Sequence, residues 1–151
     1  MVLSSQVLKK NIVTILLFEM QEPRVTFEQR ENYLLVTGHG ERNNFADIID
    51  ATTQINEVVV KFQNKFLLID YRTVKFNTPI GNVFDVVRIY ETKMPHLKNI
   101  FIAAILSKLN SSFGVFWRDI AQKRGFNFMV FDDFTKAETW LLEQRANPAN
   151  N

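Results

Sequence analysis

The sequence predicts an α/β domain: a mostly parallel, mixed β-sheet with about four helices, reached through an N-terminal β-hairpin. Three observations carry this. Two short β-like stretches lie back to back over 24–40, and after them helical spacing and continuous apolar runs take turns to the C-terminus. Each helical stretch is also flanked by residues that start or stop helices. The length of 151 residues suits one domain around a single core.

In chain order, "RVTFEQ" (24–29) alternates Val25 and Phe27 with polar neighbours, and "NYLLVTGHG" (32–40) is its hairpin partner across Arg30-Glu31-Asn32. Gly38 and Gly40 close the second strand, and Asn43 or Asn44 can cap the first helix. Over 43–64, Phe45, Ile48, Ile49, Thr52, Ile55, Val59 and Phe62 recur on one side of that helix. "KFLLIDYR" (65–72) is a continuous apolar run closed by charge, the mark of a buried parallel strand. The stretch "NTPIG" then reads as a helix start, with Asn77 or Thr78 as N-cap and Pro79 in the first turn. Ile80, Val83, Phe84, Val87 and Tyr90 continue at helical spacing to Met94-Pro95. "NIFIAAILSKL" (99–109) is the next buried strand. A helix over 111–125 comes after it, capped by Ser111 or Ser112, burying Phe113, Phe116, Trp117 and Ile120, and stopped by Gly125. "FNFMVF" (126–131) is the last strand. Asp132 or Asp133 caps a final helix whose apolar side is Phe134, Ala137, Trp140 and Leu141.

Composition narrows the chemistry. There is no Cys, so disulfides, thiolate catalysis and Cys-based zinc sites are excluded, and only two His are present. The net charge of +2 is spread without a basic stripe, which argues against a nucleic-acid partner. Lys123-Arg124 sits in a last helical turn, where the helix dipole favours positive charge in any case. Fourteen Phe point to a core packed with large rings.

The start, "VLKKNIVTILLFEMQEP", places Lys9 and Lys10 before the apolar run Ile12–Phe18. Glu19, Gln21 and Glu22 stand where a signal cleavage site would need small residues, and the run falls short of the roughly 20 apolar residues of a membrane span. The expectation is a cytoplasmic protein with no integral membrane segment. Residues 1–22 read as an N-terminal extension, an edge strand or helix; 23–145 as the domain; and 146–151 as a disordered tail. Because "NIVTILLF" is too apolar to lie free in water, residues 11–20 are expected to help build a homodimer contact or to shield a sheet edge.

Four landmarks are similar to those of the STAS domain, in its SpoIIAA-like group of anti-sigma factor antagonist-like folds. They are "VTFEQRENYLLVTGHGE", the strand ending "LLIDYRTVKF", the "NTPIG" helix start and the late "GFNFMVFDDFTKAETWL". The resemblance implies a regulatory protein-interaction module. In such antagonists an Asp-Ser-Ser-Gly-like segment carries a phosphorylated serine. With Gly81 matched to that glycine, Thr78, Pro79 and Ile80 stand in its place, so the pattern of the phosphoacceptor is lost.

Candidate site residues are drawn from the strand ends, where open parallel sheets bind ligands. Asp70 with Arg72 reads either as a surface ion pair or, with Asn77 and Thr78, as a partner-recognition patch in which Arg72 offers a fork to an anion. Thr78 reads as an N-cap before it reads as a phosphosite. His39, Glu41 and Arg42, then Ser107, Lys108 and Asn110, and Asp132 with Asp133, complete the polar set. A His39 pair with Glu41 or Asp70 could do acid–base work, but no nucleophile elbow, metal-ligand spacing or complete phosphate-loop motif accompanies it. Neither a catalytic residue, a metal nor a cofactor is therefore expected. Two function classes remain: a non-catalytic interaction module with an unknown protein partner, and a small apolar-ligand or lipid binder suggested by the Phe-rich core.

Overall fold

The computed structural model describes residues 23–151 together with Lys9. Residues 11–20, expected to help build a homodimer contact or to shield a sheet edge, lie outside the described residues.

Strands β1 (Val25–Gln29) and β2 (Leu34–Gly38) form the expected antiparallel hairpin, with Val25 opposite Gly38 and Gln29 opposite Leu34. The turn closes where the Arg30 N–H donates to the Tyr33 carbonyl at 3.0 Å. A short strand, β3 (Glu41–Arg42), precedes helix α1 (Phe45–Phe62). Then come β4 (Phe66–Tyr71), the short β5 (Lys75–Phe76), α2 (Asn82–Lys93), β6 (Phe101–Leu106), α3 (Ser111–Lys123), β7 (Asn127–Phe131) and α4 (Phe134–Ala146). The main sheet has the order β1-β2-β4-β6-β7, parallel except for β1. β3 and β5 pair as a separate parallel ladder, Glu41 with Lys75 and Arg42 with Phe76.

Two caps stand where the sequence puts them. Asn44 Oδ1 accepts the Asp47 N–H and Asp133 Oδ1 the Lys136 N–H, both at 2.9 Å, relieving first-turn donors that have no partner inside the helix.

Alternation along the strands sorts the core into two halves. Leu67, Ile69 and Tyr71 of β4 point to α1, α2 and α3, with Val36, Ile102 and Phe128 beside them. Phe66 and Leu68 point to α4, with Leu35, Ala103, Ile105, Ala137 and Leu141. On the three-helix side the rings run together: Trp117 stacks on Tyr71 at 6.4 Å and packs against Phe128 at 5.1 Å, and Phe76 stacks on Phe113 at 4.6 Å. Each buried Leu, Ile or Phe contributes about 1.5–3 kcal/mol, and well-oriented ring pairs about 0.5–1.5 kcal/mol more.

Several expectations are corrected. Helix α2 begins at Asn82, not at Pro79, and neither Asn77 nor Thr78 caps it. Pro79–Gly81 form a preceding turn in which the N–H groups of Asn82 and Val83 bond the carbonyls of Pro79 and Ile80. The Thr78 hydroxyl is already committed to the Arg42 carbonyl at 2.8 Å. Ser111 and Ser112 do not cap α3 either: Asn110 holds the cap position, but its carboxamide reaches back to the Val74 carbonyl and Ser107 Oγ, both at 3.1 Å. The strand expected over 99–109 ends at Leu106, and a 3-10 turn (Lys108–Asn110) leaves Leu109 exposed. Phe62 is exposed because it closes α1 just before the chain reverses through Gln63, at φ 52°. The expected disordered tail instead forms a 3-10 turn over Pro148–Asn150, tied down by the Ala149 N–H to Asn147 Oδ1 and by Asn150 Nδ2 to the Gln144 carbonyl.

Candidate functional site

The expected patch of Asp70, Arg72, Asn77 and Thr78 is divided by the alternation of β4. Asp70 lies on the α4 side of the sheet and its neighbour Tyr71 on the three-helix side. Each therefore draws a different set of partners.

On the α4 side, Asp70 and Arg72 bind each other. Arg72 Nε donates to Asp70 Oδ1 at 3.0 Å and Nη2 to Oδ2 at 2.8 Å, while the Arg72 backbone N–H adds a bond to Oδ1 at 3.1 Å. Burial alone would raise the Asp70 carboxyl, but the bonds from the Arg72 side chain and backbone, with its charge, hold it below the ordinary carboxylate range. The fork expected to receive an anion is thus closed on the nearest carboxylate, two residues back. Its outer face lies over the Phe134 ring at 5.7 Å, and Arg30 lies over the same ring at 5.8 Å. Tyr33, bonded by Arg30, itself hydrogen-bonds Glu138 and so pins α4 to the hairpin.

On the three-helix side the organising residue is one the sequence offered only as a strand-end polar group. Arg42 is 1% exposed. Its Nη1 donates to the His39 carbonyl at 2.8 Å and its Nη2 to the Arg24 carbonyl at 3.0 Å, and the guanidinium lies over the Tyr71 ring at 5.7 Å. Its hydrogen bonds go to carbonyls and not to a carboxylate, so burial lowers its pKa from the ordinary value; Tyr71 and, more distantly, Asp47 favour the charge. Its own backbone carbonyl accepts the Thr78 hydroxyl, and the Asn77 N–H donates to the same oxygen at 2.9 Å. The Asn77 side chain meets Asn43 Oδ1 at 2.7 Å. Arg42 thereby ties the start of β1, the end of β2 and the segment after β5 into one junction. Gly38 makes the junction possible, because a Cβ there would run into the Tyr71 ring and come within 2.7 Å of Val74 Cγ2.

Beyond this anchored stretch the chain turns its apolar side chains outward. Ile80 and Phe84 are each 45% exposed and Val115 of α3 is 44% exposed. Ile80 and Phe84 recur at helical spacing with Val83 and Val87, but helical spacing alone does not say where a helix begins. A start three residues later rotates Ile80 off the helix, and Phe84 packs only its edge on Phe116, at 5.2 Å. Ile80, Val115 and Phe116 line an open groove of about 370 Å³ with Ser111, Ser112 and Asp119.

Of the other candidates, Asp132 pairs with Lys136 and Asp133 caps α4, while Ser107, Lys108 and Asp132 line an open groove of about 520 Å³. His39 Nε2 lies 3.0 Å from the Thr26 hydroxyl across the hairpin, and among the described residues no hydrogen bond or ion pair joins it to Glu41 or Asp70. Arg124 pairs with Glu91 at 2.9 Å. Among the described residues no cluster of metal-ligating side chains forms, and no helix is long and apolar enough to cross a membrane. The interior cavity of the three-helix core is about 30 Å³, too small for an acyl chain.

No family profile and no curated protein matches the sequence. Solved structures do resemble it. An anti-sigma factor antagonist from Mycobacterium paratuberculosis superposes with a TM-score of 0.54 at 16% identity, over 82% of this chain and 99% of that one. An uncharacterized protein with a SpoIIAA-like fold from Shewanella loihica PV-4 gives 0.48 at 18% identity, over 81% and 98%. The chain has a SpoIIAA-like fold. The SpoIIAA-like sheet with its hairpin edge is what the four sequence landmarks predict.

Proposed function

We propose that this SpoIIAA-like domain is a non-catalytic regulatory module that binds a protein partner through the surface running from Asn77 to Phe84 and onto Val115 of α3. The observation that carries this reading is the exposure of Ile80, Phe84 and Val115 beside a segment held rigid from beneath by Arg42. Water-exposed apolar side chains grouped on a fixed backbone are what a partner desolvates with little loss of entropy. Asn77 supplies a polar border and Thr78 the anchor, while Asp70 and Arg72 form a charge-neutral margin on the far side of the sheet.

The anti-sigma factor antagonist of similar fold supports a protein partner by analogy of fold. Thr-Pro-Ile-Gly at 78–81 supports binding without a serine phosphate, and the Thr78 hydroxyl is buried and bonded. The lipid reading has less support, given the size of the interior cavity.

A photocrosslinking side chain placed at position 84 in the native host tests the proposal. One dominant protein adduct, lost when Ile80→Asp is added while thermal stability stays within about 0.5 kcal/mol, is the expected result. Crosslinking that is absent, or unaffected by Ile80→Asp, sinks it.

A further inference from the structure

The cavity of about 30 Å³ lies within the three-helix core, lined by Thr52, Asn56, Tyr90 and Trp117 amid apolar side chains such as Ile55 and Phe128. A water molecule needs about 10–15 Å³ of such space, so one or two fit. Among the described residues, two buried side-chain polar atoms lack a hydrogen-bond partner, Trp117 Nε1 and Asn64 Oδ1. Trp117 is 4% exposed and lines the cavity. Asn64 lines a second space, an open groove of about 510 Å³ at the end of α1 with Val59, Gln63, Lys65, His96 and Ile100. A hydrogen-bonded pair joins the two spaces: Asn56 faces the cavity, His96 faces the groove, and Asn56 Oδ1 lies 2.6 Å from His96 Nε2. With the carboxamide oxygen accepting, Nε2 carries the proton.

We propose that the cavity is an internal hydration site, in which water bound by Trp117 Nε1 and the Thr52 and Tyr90 hydroxyls exchanges with solvent through the groove, past the Asn56–His96 pair. The donors and acceptors balance. The indole N–H donates to the water oxygen. The Thr52 hydroxyl spends its own proton on the Ile48 carbonyl at 2.8 Å, leaving its lone pairs for a water proton. The Tyr90 hydroxyl also lines the cavity and interacts with both Thr52 and Trp117, but not at hydrogen-bonding geometry for the indole N–H, which keeps no partner. A wholly apolar cavity of this size would stay dry; the unpartnered indole and two hydroxyls give water the two to four partners it needs. The same groups exclude an oily occupant, which would leave the indole N–H unpaired.

Crystals of the full chain, compared with and without xenon under pressure, test the site itself. Density for water within hydrogen-bonding distance of Trp117 Nε1, with no xenon bound there and the water lost in Trp117→Phe, is the expected outcome. Xenon in the cavity, or no water at the indole, overturns the proposal. Hydrogen exchange of the Trp117 indole N–H tests the route. In His96→Ala it should run several-fold faster than in the parent chain, while stability measured by denaturant is unchanged. Exchange equal in both proteins and limited by global unfolding rejects the route through the Asn56–His96 pair.

Discussion

The two faces of β4 are built from consecutive residues and solve opposite problems. On one, Tyr71 helps enclose a guanidinium, Arg42, that is satisfied by backbone carbonyls and a ring; on the other, Asp70 meets a guanidinium, Arg72, that remains half in water. The chemistry of the cation is the same and the consequence is not. Three helices cover the Arg42 side, so solvent does not compete for its hydrogen bonds, and the segment after β5 is bonded to its backbone carbonyl. A single helix covers the Arg72 side, and solvent competes for that pair. The candidate docking surface is therefore tied to the buried side through the Arg42 backbone carbonyl, and the guanidinium fixes that residue against Arg24 and His39.

The largest test of this contrast replaces each arginine in turn. Arg42→Met keeps the aliphatic bulk but strands the His39 carbonyl and leaves the Arg24 carbonyl only the His39 N–H, and should cost about 3 kcal/mol in urea denaturation. Arg72→Ala should cost less than about 1 kcal/mol. Equal losses would mean that burial does not separate the two faces. Next in size, Gly38→Ala pushes a methyl into Tyr71 and Val74 beneath Arg42 and should lower stability by about 1–3 kcal/mol.

Smaller effects sharpen the picture. Thr78→Val removes the hydroxyl bonded to Arg42 and should cost about 1 kcal/mol while amide exchange in the first turn of α2 stays unchanged. Faster exchange at Asn82–Phe84 without a change in Asn77 would restore Thr78 as a helix cap. The smallest effect belongs to Asp70. Its carboxyl is held below the unfolded value by Arg72, so its contribution is present above about pH 4 and is lost as pH falls through the lower folded value. Asp70→Asn should therefore lower stability at neutral pH by less than about 1 kcal/mol, leave it unchanged well below pH 4, and so flatten the acid limb of a stability–pH profile. An unchanged acid limb would show that the pair contributes nothing.

The features that the sequence determined by itself rest on neighbours along the chain. The apolar runs of β4 and β6, the hairpin, and the caps Asn44 and Asp133 are legible because each cap bonds an N–H only three residues away. The ion pair of Asp70 and Arg72 is legible for the same reason, at a separation of two. The landmarks that implied a SpoIIAA-like fold were of this local kind as well. Tertiary structure alone decided the start of α2, the capless start of α3, the burial of Arg42 and the exposure of Ile80 and Phe84. Thr78 is a good cap by composition, yet its hydroxyl bonds a carbonyl 36 residues away, and Asn110 likewise leaves its helix for Val74, 36 residues back. A polar side chain takes whichever partner the fold brings within reach, and along β4 a one-residue step changes the face of the sheet on which that partner is found.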